Sequence, residues 1–282
     1  MKLVRYGETD REKPGLVDAG GKLRDLSAAI DDLGGNALRP DGLAKLKALD
    51  PAKLPLVSGS PRLGVPVTGI GKIVAIGLNY SDHAAESNLP VPKEPIIFFK
   101  TTSSLTGPND AVTIPKGSEK SDWEVELAVV IGKPASYVSE ADALSHVAGY
   151  LICNDVSERA YQIERGGTWD KGKGCDTFCP LGPWLVTGDE IKDPQALDMW
   201  LDVNGEKAQR GNTRTMVFGV AHIVSYVSQF MSLQTGDVIT TGTPPGVGMG
   251  MKPPRYLKPG DVMTLGIQGL GEQRQACVAW KR

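Results

Sequence analysis

Short apolar runs broken by glycine, proline and polar clusters recur along most of this chain, and their length and spacing predict strands rather than helices. From Lys72 onward they are Ile73 to Leu78, Ile96 to Lys100, Val125 to Ile131, Ala148 to Asn154, Trp184 to Thr187, Trp200 to Val203, Val238 to Thr241 and Val262 to Ile267. Asn204-Gly205, between Leu201-Asp202-Val203 and Glu206-Lys207, has the residues of a two-residue type I′ hairpin turn, whose central positions both need positive φ. One long helix is predicted, from about Thr215 to Met231, on the stripe Val217, Ala221, Val224, Val227 and Met231. A shorter one is predicted to start at Ser139, with Asp142 in the reciprocal capping position. Strands do not alternate regularly with helices, which argues against a doubly wound parallel sheet. The pattern predicts an α+β fold that is mostly β.

Residues 1 to about 60 carry shorter strand-like pieces and a helical segment near Leu43 to Leu49. They close with the punctuated run Leu54-Pro55-Leu56-Val57-Ser58-Gly59-Ser60-Pro61. A small N-terminal module over 1–60 and a main domain over 61–282 are expected. With 31 basic and 33 acidic residues the net charge is -2, so no overall positive field exists to collect nucleic acid or an anionic membrane. Met1-Lys2-Leu3-Val4-Arg5 lacks the apolar core of a signal peptide, and the apolar runs fall far short of the ~20 residues that span a bilayer. A cytoplasmic protein without nucleic-acid or membrane partners is expected. Cys153, Cys175, Cys179 and Cys277 form no Cys-x-x-Cys pair and read as buried free thiols rather than a zinc site.

In Asp122-Trp123-Glu124-Val125-Glu126-Leu127 the two glutamates stand at i and i+2 of a strand, so they share a face about 6 to 7 Å apart. Alone, this pattern marks a solvated outer face. The apolar continuation Leu127 to Ile131 suggests a strand covered on both faces, where carboxylates need a partner. Asp155, in Cys153-Asn154-Asp155-Val156-Ser157-Glu158-Arg159, stands where an apolar strand turns polar, a place for a functional group or for a helix cap. Three carboxylates without clustered histidine or thiol make a hard-oxygen site, favouring Mg²⁺ or Mn²⁺ over Zn²⁺.

Of three histidines, His146 and His222 fall inside predicted helices and read as packing or surface residues. His83 follows the polar segment Asn79-Tyr80-Ser81-Asp82, with Glu86 three residues on; the spacing fits an ordinary ion pair and equally an oriented imidazole that takes a proton from water. Lys173 lies in the glycine-punctuated run Gly166 to Asp176, as a surface lysine or as a group that neutralises an oxyanion. Thr241-Gly242-Thr243-Pro244-Pro245-Gly246-Val247-Gly248-Met249-Gly250 lacks the Lys-Ser/Thr of a P-loop, and Pro253 and Pro254 block the helix a dinucleotide site needs next. A loop offering amides and the Thr243 hydroxyl to a small anion fits it better.

In this order the segments resemble the fumarylacetoacetate hydrolase family, over roughly Ile70 to Trp280. The resemblance rests on Gly77-Leu78-Asn79-Tyr80-Ser81-Asp82-His83-Ala84-Ala85-Glu86, Trp123-Glu124-Val125-Glu126, Asn154-Asp155-Val156-Ser157-Glu158-Arg159, Lys173 with Asp176-Thr177-Phe178, and Thr241 to Gly248. It implies mixed sheets rolled into a flattened barrel, a homodimer, and Glu124, Glu126 and Asp155 as metal ligands. It further implies a water-activating dyad of His83 and Glu86 on a segment that can close, Lys173 stabilising charge, and Arg159, Gln162 and Thr243 contacting substrate. Ala160 and Cys175 depart from the family pattern and bear on the pocket lining. The N-terminal Met1 to Gly7 and Glu12 to Asp18 look like a subgroup that includes hydrolases of 2,4-diketo-3-deoxy sugar acids and proteins labelled ureidoglycolate lyase.

The implied reaction is metal-dependent hydrolysis of a carbon-carbon bond in a small 2,4-dioxo acid, releasing pyruvate. Lyase, isomerase or decarboxylase chemistry on a 2-oxo or 2-hydroxy acid shares the same parts, and a non-catalytic oxo-acid-binding protein is the reading from another class.

Overall fold

The computed structural model describes residues 1–86 and 90–281. Its centre is the Val125–Ile131 strand, buried along its whole length. Because side chains alternate across a strand, the two halves of this apolar run serve different cores. Val125, Leu127, Val129 and Ile131 face one that includes Leu201, Val203, Met263 and Leu265. Ala128 and Val130 face another with Leu151, Cys153, Leu185 and Val238. The strand is thus covered on both faces, and Glu124 and Glu126 continue the Ala128/Val130 parity.

Two large sheets of mixed pairing build these cores, in agreement with the mostly β expectation, and neither closes on itself. The ten-stranded sheet runs Leu23–Asp25, Lys13–Val17, Lys2–Tyr6, Cys179–Thr187, Val147–Asn154, Val125–Ile131, Val238–Thr240, Ile73–Gly77, Ile96–Lys100, with Leu105–Thr106 beside Cys179–Thr187. The five-stranded sheet runs Glu206–Asn212, Asp198–Val203, Val262–Ile267, Gly271–Ala279, Val112–Ile114. Residues 1–60 add three strands to the edge of the larger sheet, where Lys2–Tyr6 pairs antiparallel with Cys179–Thr187 and buries Leu3 and Leu16 in its core. Arg62 ties this edge down, donating to Asp110 through Nε (2.8 Å) and Nη2 (2.6 Å) and to Glu12 Oε1 (2.8 Å).

Asn204 (φ 55°) and Gly205 (φ 79°) form the expected hairpin turn between Asp198–Val203 and Glu206–Asn212. Ser139 caps the short Glu140–Ala143 helix by accepting from Asp142 N and donating to the Asp142 carboxylate. The long helix expected from Thr215 is shorter, spanning Val220–Val227. Asn79 takes its first turn: its carbonyl accepts from Val217 N (2.7 Å) and its Oδ1 from Phe218 N (2.9 Å), so those amides have partners outside a helix. No helix among the described residues is long and apolar enough to cross a membrane. Cys153, Cys179 and Cys277 are buried free thiols as expected; Cys175 is half-buried.

Candidate active site

Sheet register assembles the three acidic residues. Val125 pairs with Asn154 on the neighbouring antiparallel strand, and Asp155 N donates to Glu124 O at 2.8 Å. Glu124, Glu126 and Asp155 therefore meet at one strand end, each offering an oxygen within 4.8 Å of the others, and all three are buried.

Cations surround two members of this trio. Lys173 Nζ donates to Glu124 Oε2 (2.8 Å) and Asp155 Oδ2 (2.7 Å). Arg159 Nη2 lies 2.7 Å from Glu124 Oε1, while its Nε donates to Asp122 Oδ2 at 2.8 Å and its Nη1 to Gln162 Oε1 at 3.0 Å. Lys173 is buried rather than on the surface, and Gly172 is the local reason. A Cβ there would stand 2.4 Å from Glu158 O, so only glycine lets the Asp170–Lys173 turn pack against Arg159–Ile163.

Two residues of the cluster carry no signal in sequence spacing. Lys100 ends an apolar strand, and its ammonium lies 2.6 Å from Asp155 Oδ1 while donating to the carbonyls of Lys173 and Val156. That approach is ionic rather than directional, because Asp155 Oδ1 is buried and receives no hydrogen bond of good geometry. Asp122 accepts from Arg159, from Gly248 N (2.7 Å) and from Met249 N (3.0 Å).

The charges explain opposite behaviour in neighbouring glutamates. Burial disfavours the Glu124 anion, but Lys173 and Arg159 outweigh it and bring its pKa down to about 2. Burial pushes the Glu126 carboxyl well up, and the charges of Asp155 and Glu124 push the same way; the Lys173 charge and the Gly242 amide, which donates to Glu126 Oε2 at 2.8 Å, offset only part. Among the described residues three carboxylates (Asp122, Glu124, Asp155) are matched by three cations (Lys100, Arg159, Lys173), and Glu126 is the member of the trio with no ion pair of its own. A buried, all-oxygen trio in which Glu126 has no cationic partner within ion-pair distance fits a hard divalent cation, whose charge would favour the Glu126 anion.

His83 and Glu86 share the short Ser81–Glu86 helix, with His83 Nδ1 3.0 Å from Glu86 Oε2. His83 is buried, and Gly246 N donates to Glu86 Oε1 at 3.0 Å, so this is no loose surface pair. The glycine-rich loop offers its amides to the protein's own carboxylates: Gly242 to Glu126, Gly246 to Glu86, Gly248 and Met249 to Asp122. Thr243 Oγ1 donates to Val125 O (2.9 Å) and accepts from Gln209 Nε2 (2.8 Å). Eight of the nine residues singled out in the sequence line one cavity of about 590 Å³; the ninth, Asp155, is fully buried and joins it through Lys173. His146 and His222 lie elsewhere, the first against backbone carbonyls at Lys133 and Pro134, the second stacked on Phe218 and Tyr226.

Fold and site together define a β-rich chain with a buried acidic cluster at a strand end whose oxygens could hold a metal ion. The profile of the fumarylacetoacetate (FAA) hydrolase C-terminal family matches residues 72–278, and the chain belongs to this family. It is 65% identical over 276 residues to a Burkholderia multivorans protein whose name proposes only a hydrolase, covering 98% of each. Among solved structures it is similar to fumarylacetoacetate hydrolase from Exiguobacterium antarcticum (TM-score 0.89, 36% identity, 99% of this chain and 100% of that one). It is also similar to maleylpyruvate hydrolase from a Sphingobium species in complex with manganese(II) ion and pyruvate (TM-score 0.83, 30% identity, 100% of both). A third is 5-carboxymethyl-2-hydroxymuconate delta-isomerase from Mycobacterium smegmatis (TM-score 0.77, 31% identity, 100% of both).

Proposed function

We propose that the protein hydrolyses a carbon-carbon bond in a small 2,4-dioxo acid, with Glu124, Glu126 and Asp155 holding Mg²⁺ or Mn²⁺ and pyruvate as one product. The observation that carries this reading is that the His83–Glu86 pair lines the same cavity as Glu124 and Glu126, with Asp155 buried beside them. The manganese and pyruvate bound in the Sphingobium hydrolase support the metal and the product class. A cation on the trio supplies Lewis-acid polarisation of the 2-oxo acid and neutralises charge developing on the pyruvate fragment.

The chain's own groups then divide the work. Glu86 accepts from His83 Nδ1, which fixes the tautomer that leaves Nε2 as the base for water. Water, losing its proton to His83, adds to the C4 carbonyl. Lys173 has three donors and two are taken by Glu124 and Asp155, leaving one for the oxyanion. The C3–C4 bond breaks as that carbonyl re-forms, and His83 returns its proton to the C3 side. Arg159 is ion-paired with Asp122 and Glu124 and donates Nη1 to Gln162 Oε1, so one part it plays in substrate binding is to hold the Gln162 carboxamide at the cavity wall. Thr243 keeps a lone pair rather than its proton for the ligand.

An isomerase reading keeps the cation and omits the water; the similarity to a delta-isomerase favours it as the alternative. A panel of acylpyruvates, diketo sugar acids, oxaloacetate, ureidoglycolate and a hydroxymuconate, assayed with Mg²⁺ or Mn²⁺ and after chelation, separates these. Isomerisation or lyase turnover without any acylpyruvate cleavage would sink the hydrolase proposal.

A further inference from the structure

Hydrolysis as proposed fixes only the pyruvate half of the substrate. The remaining wall of the cavity bears on the acyl half. Away from the carboxylates it is built by Ile76, Leu78, Phe98, Trp169, Met249 and Met251. Outside the catalytic cluster, the one charged lining side chain among the described residues is Lys252, which is exposed. The apolar wall has a direction. Lys173 Nζ lies 5.2 Å from the Phe98 ring, and Phe98 meets Trp169 edge-on at 5.2 Å, so the aromatic pair leads from the reacting centre to the half-buried Trp169.

The backbone is adapted to this wall. A Cβ on Gly77 would come within 2.4 Å of the Trp169 ring, so glycine there is what lets the indole lie against the strand. Leu78 follows at φ 51°, a left-handed conformation that costs a branched residue roughly 1 kcal/mol or more and that glycine would relieve. The leucine side chain is what that strained position contributes to the cavity.

We propose that the site selects 2,4-dioxo acids whose acyl tail is apolar, alkyl or aryl, over those with a hydroxylated, sugar-derived tail, with Trp169, Met249 and Met251 setting the preference. This rests on the hydrolysis proposed above and departs from the sugar-acid subgroup that the N-terminal residues resemble. A hydroxyl placed against such a wall leaves water without gaining a partner, because Ile76, Leu78, Phe98, Met249 and Met251 carry no strong hydrogen-bonding side-chain group and the free Lys173 donor is committed to the oxyanion. On mutational scales that lowers kcat/KM by about 5- to 150-fold per buried hydroxyl. Each methylene buried in its place raises kcat/KM about fourfold.

The test is a tail series on the Mg²⁺- or Mn²⁺-loaded protein: acetyl-, butanoyl-, hexanoyl- and benzoylpyruvate, and a 2,4-dioxo acid with a dihydroxylated tail. The rise with chain length is expected chiefly in KM, and the hydroxylated acid should fall below the alkyl acid of equal length. Met249→Ser and Met251→Ser, made separately at half-buried positions, should each compress the hexanoyl-to-acetyl ratio, a readout that a loss of folded protein does not move. A flat profile, a hydroxylated tail preferred over its alkyl counterpart, or ratios unchanged in both variants overturns the proposal. If no 2,4-dioxo acid turns over, the hydrolase reading fails on its own. Calorimetric binding of pyruvate, 2-oxohexanoate and a hydroxylated 2-oxohexanoate then decides the tail preference: tighter binding of the alkyl acid supports it, and equal or weaker binding overturns it.

Discussion

Replacing Lys100 by methionine tests whether the buried charges form one balanced system. Burial is the largest single influence and lowers the Lys100 pKa, but the charge and hydrogen bonding of Asp155 with smaller contributions from Cys179 and Cys153 together raise it, so the ammonium is charged in place. Methionine keeps the straight stem and removes the charge. Asp155 then retains only Lys173, and the carbonyls of Lys173 and Val156 lose their donor. Breaking a fully buried pair from one side costs about 3–5 kcal/mol. For a chain of this size each kcal/mol is worth about 2–4 °C in Tm, so the metal-free variant should melt about 6–20 °C lower. If Asp155 is a metal ligand, saturating Mg²⁺ supplies the missing positive charge and should narrow this gap, beyond the ~2.7 kcal/mol that any ligand at a hundredfold its Kd confers on both proteins. Scanning calorimetry of both proteins, chelated and with Mg²⁺, measures the two gaps. A metal-free loss below about 1 kcal/mol, the size of a surface pair, would refute the balance argued here. So would a gap that metal leaves unchanged.

His83→Ala should slow acylpyruvate hydrolysis by about 10²- to 10⁴-fold while leaving Mg²⁺ affinity and slow exchange of pyruvate methyl protons in place; equal loss of cleavage and exchange would point to the isomerase alternative. Glu126→Gln should abolish the metal-induced rise in Tm, and activity along with it, without lowering the Tm of the chelated protein, because burial, Asp155 and Glu124 already disfavour the Glu126 anion. Arg62→Ala should cost about 1–2 kcal/mol in urea unfolding, a charged hydrogen-bond set discounted for partial exposure. Burial raises the Asp110 carboxyl, but Arg62 and the Gly107 amide bring its pKa below the ordinary value, so its contribution is present above about pH 4 and lost as the pH falls through the folded value. Urea midpoints at about pH 6 and about pH 3 should therefore diverge less in Arg62→Ala than in the parent. Light scattering at micromolar concentration should give a dimeric mass; a monomer would remove the expectation drawn from the family.

Much of the site was legible because strands have a period of two. Glu124 and Glu126 share a face by spacing alone, and the apolar run after them announced a strand with no wet side. The bounds of Ile96–Lys100, Val125–Ile131 and Val262–Ile267 follow from apolar content. Lys100 and Asp122 escaped because nothing local marks them: each is a charged residue at the edge of an apolar run, and its partners come from segments far along the chain. Lys173 reads as a surface residue until Gly172 is seen packing against Glu158. The long helix failed for a related reason: an apolar stripe reports a helical face, but Asn79, more than a hundred residues away, had the amides of its first turn.

The loop from Thr241 to Gly250 has a consequence for how such an enzyme can change. It holds Glu126, Glu86 and Asp122 entirely through peptide N–H groups, while the side chain of Met249, and that of Met251 just beyond the loop, line the cavity. At 249 and 251, mutation can reshape what the cavity admits without withdrawing a donor from the machinery. Selection or a designer could move this scaffold between substrates through two codons, while Gly242, Gly246 and Gly248, where a Cβ would collide with neighbouring atoms, keep the carboxylates in place.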